Sequence, residues 1–440
     1  MLHKACLMKI DHASKRALSC ILIIIGCLTV FNSQAQQAMA SNTDESKVPP
    51  YTLPDVLQMP NGKKVTSSKD WEDVQRPWIY YLYEEVQFGR YPIKKINIRY
   101  RLLETDENAL EGKATRKQVR IYLHPVDTTV YTDVLLYIPN ALKGPVPVFL
   151  GYNFSGNHTI ATDKNIILGN RWVFGRTRGA VNNRATEASR GADTASWQIN
   201  TILAKGFAVA TAYCGDLEPD TTTGWMTGIR STLKDILKIQ PTEWTAMGAW
   251  AWGLSRIVDY LQKDKSIDAR KVALIGHSRL GKAALWAGAS DTRFALIVSN
   301  ESGEGGATLS RRWYGETVQI INSKFPHWFT AKYKTYGDNV NALPVDGHML
   351  LSLMAPRPLY VASAVEDTWS DPKGEFLSAR EASKVYALFG KKGIDTDSMP
   401  ALNQPVGQTV RYHIRAGRHA VTLYDWEQYL AFATEQFGLK

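Results

Sequence analysis

The segment Val272-Ala273-Leu274-Ile275-Gly276-His277-Ser278-Arg279-Leu280-Gly281-Lys282-Ala283-Ala284 constrains the fold more than any other stretch of the chain. Its apolar start reads as a buried strand, its glycines as a sharp turn and its alanines as the opening of a helix. A serine at the apex of such a turn has its hydroxyl lifted clear of the backbone, with the positive end of the helix dipole beside it. That is the geometry a nucleophile requires. The usual spacing is G-x-S-x-G, whereas here the second glycine is Gly281, three residues after the serine. Taken alone, an ordinary strand–glycine–helix junction fits the segment as well.

The surrounding chain supports the first reading. Residues 95–140 carry alternating apolar runs at 96–102, 119–123 and 134–138, which predict antiparallel strands opening a sheet. From residue 146 the pattern changes to short apolar runs at 146–150, 208–213, 272–275, 296–299, 359–364 and 410–414. Helical stretches at 243–262, 282–289, 379–388 and 424–437 complete that pattern. Strands alternating with helices imply βαβ units and a mostly parallel sheet. With the serine turn, this predicts an α/β-hydrolase fold, a three-layer sandwich with a mostly parallel central sheet. The loops at 152–200 and 215–242 are long and rich in Gly, Asn, Thr and Arg, as loops that shape a binding site often are.

A serine nucleophile in this fold takes an acid and then a histidine from later in the chain. His419, in Arg415-Ala416-Gly417-Arg418-His419-Ala420, follows the last strand and precedes the closing helix, where the base is expected. His413 falls inside that strand, His348 opens a helical run, and His277 adjoins the serine too closely to serve it. Two acids qualify: Glu301 after the 296–299 strand and Asp367 after the 359–364 strand. Either carboxylate can fix the imidazole tautomer and stabilise its charged form. The oxyanion donors are expected at the N–H of Arg279 and in the loop 151–158. His158, His327 and His348 lack metal-ligand spacing, and no GxxxxGK[ST] pattern is present, so neither metal nor other cofactor is expected.

At the N-terminus, Lys4, Lys9, Lys15 and Arg16 precede an apolar run at 18–31, followed by small-residue cleavage sites ending at Ala35 and Ala40. This predicts a signal peptide over 1–35, a flexible lead-in over 36–50 and a single catalytic domain over 51–440. The apolar run is short for a membrane span, which predicts an exported protein, periplasmic or secreted. A lipid anchor at Cys27 is the alternative. Three of the four cysteines lie in this leader, leaving Cys214 alone, so no intrachain disulfide is expected. The formal charge of +10 is dispersed rather than clustered. That favours an acidic polymer over nucleic acid as partner, and a monomer is expected.

The stretch GHSRLGKAA (276–284) resembles the G-x-S-R-x-G-K motif of glucuronoyl esterases, whose second glycine is displaced in the same way. The likeness runs over residues 50–438 through GYNFSGNHT (151–159), SNESGEGGA (299–307), DGHMLLSLMAPRPL (346–359) and AGRH (416–419). The resemblance implies a metal-free serine esterase that cleaves esters between 4-O-methyl-glucuronic acid of glucuronoxylan and lignin alcohols. It implies Ser278 as nucleophile, Arg279 as oxyanion arginine and His419 as base. Glu301 matches the usual acid, and Asp367 the alternative acid of some bacterial members. Lys282, Glu316 and Trp369 match the set that holds the uronate. Competing expectations are an esterase for another carbohydrate ester, such as acetylated xylan, and a non-catalytic polysaccharide-binding homologue.

Overall fold

The apolar runs assemble one ten-stranded sheet. The computed structural model describes residues 41–439, so the expected signal peptide and Cys27 lie outside the described residues. The strands are β1 (Arg99–Ala109), β2 (Ala114–Tyr122), β3 (Tyr131–Pro139), β4 (Val146–Asn153), β5 (Ala208–Tyr213), β6 (Ile267–His277), β7 (Leu296–Asn300), β8 (Leu359–Ala364), β9 (Val406–Gly407) and β10 (Val410–Arg415). Their spatial order is β1-β2-β3-β5-β4-β6-β7-β8-β10-β9. The first pairings, β1–β2, β2–β3 and β3–β5, are antiparallel. From β5 through β10 every pairing is parallel.

The helices that matter for the site are α1 (Arg76–Tyr83), α2 (Ala246–Leu261), α3 (Arg279–Ser290), α4 (Pro372–Ala387) and α5 (Leu423–Gln436). Because successive side chains in a strand point to opposite faces, the central strands feed two separate cores. Val148, Leu150, Val272, Leu274 and Ile297 pack with Trp250, Trp286 and Phe376 from α2, α3 and α4. Phe149, Ala273, Ile275 and Val298 pack with Trp426, Tyr429 and Phe432 of α5 on the other face. This is the three-layer α/β arrangement expected from the sequence. Among the described residues no helix is long and apolar enough to cross a membrane.

Two segments differ from their sequence reading. The run at 96–102 predicted a strand, but β1 starts at Arg99 and continues to Ala109 through Glu104, Thr105 and Asp106. It is an edge strand, mostly exposed and held by its backbone ladder to β2, so an apolar pattern marks only its beginning. Residues 36–50 are expected as a flexible lead-in, yet their described part is tied to the domain and the chain just beyond is buried in it. Glu45 accepts from Arg312 Nη2 at 2.7 Å and from Lys373 Nζ at 2.6 Å, and Val56 is buried.

Candidate active site

The turn between β6 and α3 places Ser278 at φ 57°, ψ −133°, in a region that side-chain-bearing residues seldom occupy. Two glycines make the turn sterically possible. A Cβ on Gly276 would fall 2.1 Å from the Leu280 carbonyl oxygen, and one on Gly281 would fall 2.9 Å from Ser302 Cβ. The displaced glycine therefore has a packing cause: the third residue of α3 crosses the chain leaving β7. The Ser278 N–H donates to the Asn300 carbonyl at 2.9 Å, tying the turn to the end of β7. Arg279 opens α3, so its amide has no intrahelical acceptor.

His419 stands in the loop after β10, and its Nδ1 faces both expected acids. It donates to Asp367 Oδ2 at 2.6 Å and lies 3.0 Å from Glu301 Oε2. Glu301 is itself anchored, accepting from Arg415 Nη2 at 2.6 Å and from the Ala420 amide at 3.0 Å. Burial pushes the Glu301 carboxyl up, against the pull of His419 and Arg415. Burial acts the same way on Asp367, but the His419 hydrogen bond and charge outweigh it and hold this carboxyl low. On the imidazole, burial opposes the charged form, and the two carboxylates overcome it to raise His419 above its ordinary value.

The loop carrying His419 is held by a residue the sequence reading did not single out. Arg415 is buried at the end of β10, donating to the Ala416 and Arg418 carbonyls as well as to Glu301, and to Asp425 Oδ2 at 2.7 Å. Asp425 also accepts from His413 Nε2 at 2.9 Å, which accounts for His413 as a packed residue. His348, likewise buried, donates to the Pro54 carbonyl at 2.9 Å. His277 donates from Nδ1 to Asn300 Oδ1 at 2.6 Å, and its ring lies 4.4 Å from that of His419. Burial drives His277 down to about 3, so it packs against His419 as a neutral ring.

Beyond the serine, α3 contributes two cations. Lys282 is 4% exposed; its ammonium donates to the Ser302 carbonyl, and burial lowers its proton affinity. Glu316 is also buried; burial raises its carboxyl while the Lys282 charge and the Trp369 indole oppose that rise. Lys282 and Trp369 thus both act on Glu316, and the three stand as one interacting group. Arg279 Nε lies 2.7 Å from Asp220 Oδ2, with its guanidinium carbon 4.6 Å above the Phe154 ring. Asp220 is the second residue missed from sequence: through Oδ1 it also accepts from His327 Nε2 and Trp328 Nε1, each at 2.7 Å. One of three aspartates in a 28-residue stretch, Asp220 carries no local signal, because two distant segments, at Arg279 and at His327–Trp328, define its role.

His277, Glu301 and His419 each bring a ligand-type atom within 4.8 Å of the others, the spacing of a metal set. Each already has protein partners: Asn300 for His277, Arg415 and Ala420 for Glu301, and Asp367 for His419. The donor set therefore suits proton transfer better than metal binding.

A mostly parallel sheet covered on both faces, with a serine at positive φ between a central strand and its following helix, defines an α/β-hydrolase. Residues 237–390 match the family model described as glucuronyl esterase, fungi. Carbohydrate esterase MZ0003, from an unknown prokaryotic organism, is 46% identical over 425 residues, covering 94% of this chain and 97% of that protein. The solved glucuronoyl esterase from Solibacter usitatus is 51% identical with a TM-score of 0.84, covering 89% of this chain and 100% of that one. The 4-O-methyl-glucuronoyl methylesterase 1 of Phanerochaete chrysosporium is 39% identical over 157 residues, 33% of each protein. The chain belongs to the glucuronoyl esterase family, CE15, and is an esterase.

Proposed function

We propose that this esterase hydrolyses esters of (4-O-methyl-)glucuronic acid in glucuronoxylan, including those to lignin alcohols, by a serine mechanism. The observation that carries the reading is the grouping of buried Lys282 with Glu316 and Trp369 on the same helix and loops that frame Ser278. A small acyl group such as acetate has no use for such a set. A uronate offers hydroxyls that the ammonium and carboxylate pair in turn, and an analogue lacking them leaves buried polar groups unpaired.

In this reading His419, with Nδ1 engaged by Asp367 and Glu301, uses Nε2 to take the Ser278 proton. Ser278 Oγ attacks the C6 carbonyl of the glucuronate, and charge develops on the carbonyl oxygen. The Arg279 amide at the start of α3, the helix dipole and the Arg279 guanidinium stabilise that charge. His419 then gives its proton to the departing alcohol, and water repeats the cycle to release glucuronate and free Ser278. The two carboxylates act by favouring the imidazolium present in both transition states. We further read the mature enzyme as an exported monomer, with residues 1–35 removed, 36–50 a lead-in and 51–440 the catalytic domain.

The test is hydrolysis of benzyl glucuronate by the wild type and by Ser278→Ala. Turnover that falls by at least about 10³-fold in the variant, whose fold is checked by circular dichroism, is the expected result. A wild type inert on this ester but active on acetylated xylan overturns the uronate assignment.

A further inference from the structure

We infer that Asp220 is a positioning residue that holds the Arg279 guanidinium ready for the oxyanion; this rests on the serine-esterase reading above, in which Arg279 meets that charge. An arginine side chain is long and turns about several bonds, so a guanidinium left free is ordered only when the charge appears. A donor stabilises a transition state best when its place is fixed beforehand. At the start of α3 that fixing is supplied by groups from outside the helix.

Arg279 Nε forms an ion pair with Asp220 Oδ2 at 2.7 Å, and both side chains are largely buried. Rings surround the guanidinium. Its central carbon lies 4.6 Å from the centre of the Phe154 ring, 5.5 Å from that of Phe174 and 6.0 Å from that of Trp328. Held at Nε and hemmed in by rings, the group keeps Nη1 and Nη2 for the substrate; neither has a protein acceptor among the described residues.

Asp220 is itself held from behind. Its other oxygen, Oδ1, accepts from His327 Nε2 and Trp328 Nε1, each at 2.7 Å. Trp328 is in turn stacked on Phe325, with ring centroids 3.8 Å apart. The chain just before Asp220 is pinned as well: Glu218 takes Arg230 Nε through both oxygens, and its carbonyl accepts from the Trp250 indole at 3.0 Å. Burial opposes the charged form of Asp220, and His327, Arg279 and Trp328 overcome it. The carboxylate is therefore an anchored charge, and among the described residues it is the one acid in ion-pair reach of Arg279.

Asp220→Asn separates the two sides of this carboxylate. The amide oxygen stays with the donors of His327 and Trp328, and the amide nitrogen turns toward Arg279 Nε, so that donor faces donor. The experiment is a double-mutant cycle of Asp220→Asn and Arg279→Ala, with benzyl glucuronate and p-nitrophenyl acetate as substrates. Active sites are counted by stoichiometric capture with a serine-directed phosphonate, so the rates refer to folded enzyme. Both the acylation and the deacylation transition states carry the oxyanion. Asp220→Asn should therefore lower kcat about tenfold or more and leave KM within about twofold. With Arg279→Ala already present, the same substitution should change kcat by less than about twofold. An equal loss in both backgrounds, a loss confined to KM, or no loss at all overturns the inference. If benzyl glucuronate is inert while the acetate is turned over, the uronate assignment alone falls. The cycle on the acetate then decides the role of Asp220, since every ester passes through an oxyanion.

Discussion

His419 has one Nδ1 proton and two carboxylates competing for it. Asp367 makes the shorter contact and is held ionised, while Glu301 is occupied by Arg415 and the Ala420 amide and is pushed toward its neutral form. Asp367→Asn should therefore lower kcat/KM by roughly 10²- to 10⁴-fold, and Glu301→Gln by less. Both should also move the acid limb of the kcat/KM profile. The carboxylates raise the imidazole's proton affinity, and a protonated His419 is no base. Removing one carboxylate lowers that affinity, so activity should persist to lower pH in whatever activity remains. Ser278, His419 and both acids were legible in the sequence because each sits at a strand end beside glycine or a turn. Arg415 and Asp220 were not, since their meaning arises only when distant segments meet around them.

At the scale of elements, α5 is secured at the point where it leaves the loop that carries His419. Thr422 caps it and forms a reciprocal pair with Asp425, whose Oδ2 accepts from the Thr422 amide at 2.7 Å. Thr422→Ala should cost about 1 kcal/mol, seen as a lower urea midpoint with an unchanged m-value. Asp425 also holds Arg415, so loosening this cap should be felt in the His419 loop. The central strands were readable because burial on both faces makes them continuous apolar runs; β8 and β5 begin and end where the runs do. β1 was only partly readable. Its backbone pairs with β2, but its exposed side chains are mostly polar, and no core imposes a pattern on them.

For the whole molecule, buried acids outside the site set a pH dependence of stability. Burial pushes Glu304 up to about 7 and Glu375 up to about 8, from an ordinary value of 4.5. As pH rises from about 4.5 to about 8, the unfolded chain releases these protons first and the folded chain must then give them up in a buried setting. The stability they contribute is full below that window and lost through it. Thermal unfolding temperature should fall across this range, and Glu375→Gln should flatten the decline; a midpoint independent of pH there would refute the account. Asp220 and Asp425, held below 3.8 despite burial, act at the other end, losing their contribution as pH falls through their depressed values. The candidate groups Ser278, Glu301, Asp367 and His419 stand beyond β6, β7, β8 and β10, four neighbours in the sheet drawn from separate stretches of chain. Slipping any one strand by a residue turns its side chains to the opposite face and moves its end by about 3.3 Å. The constellation is all or nothing. A stressed sample that has lost half its activity has then lost half its working molecules, and the survivors are as quick as before.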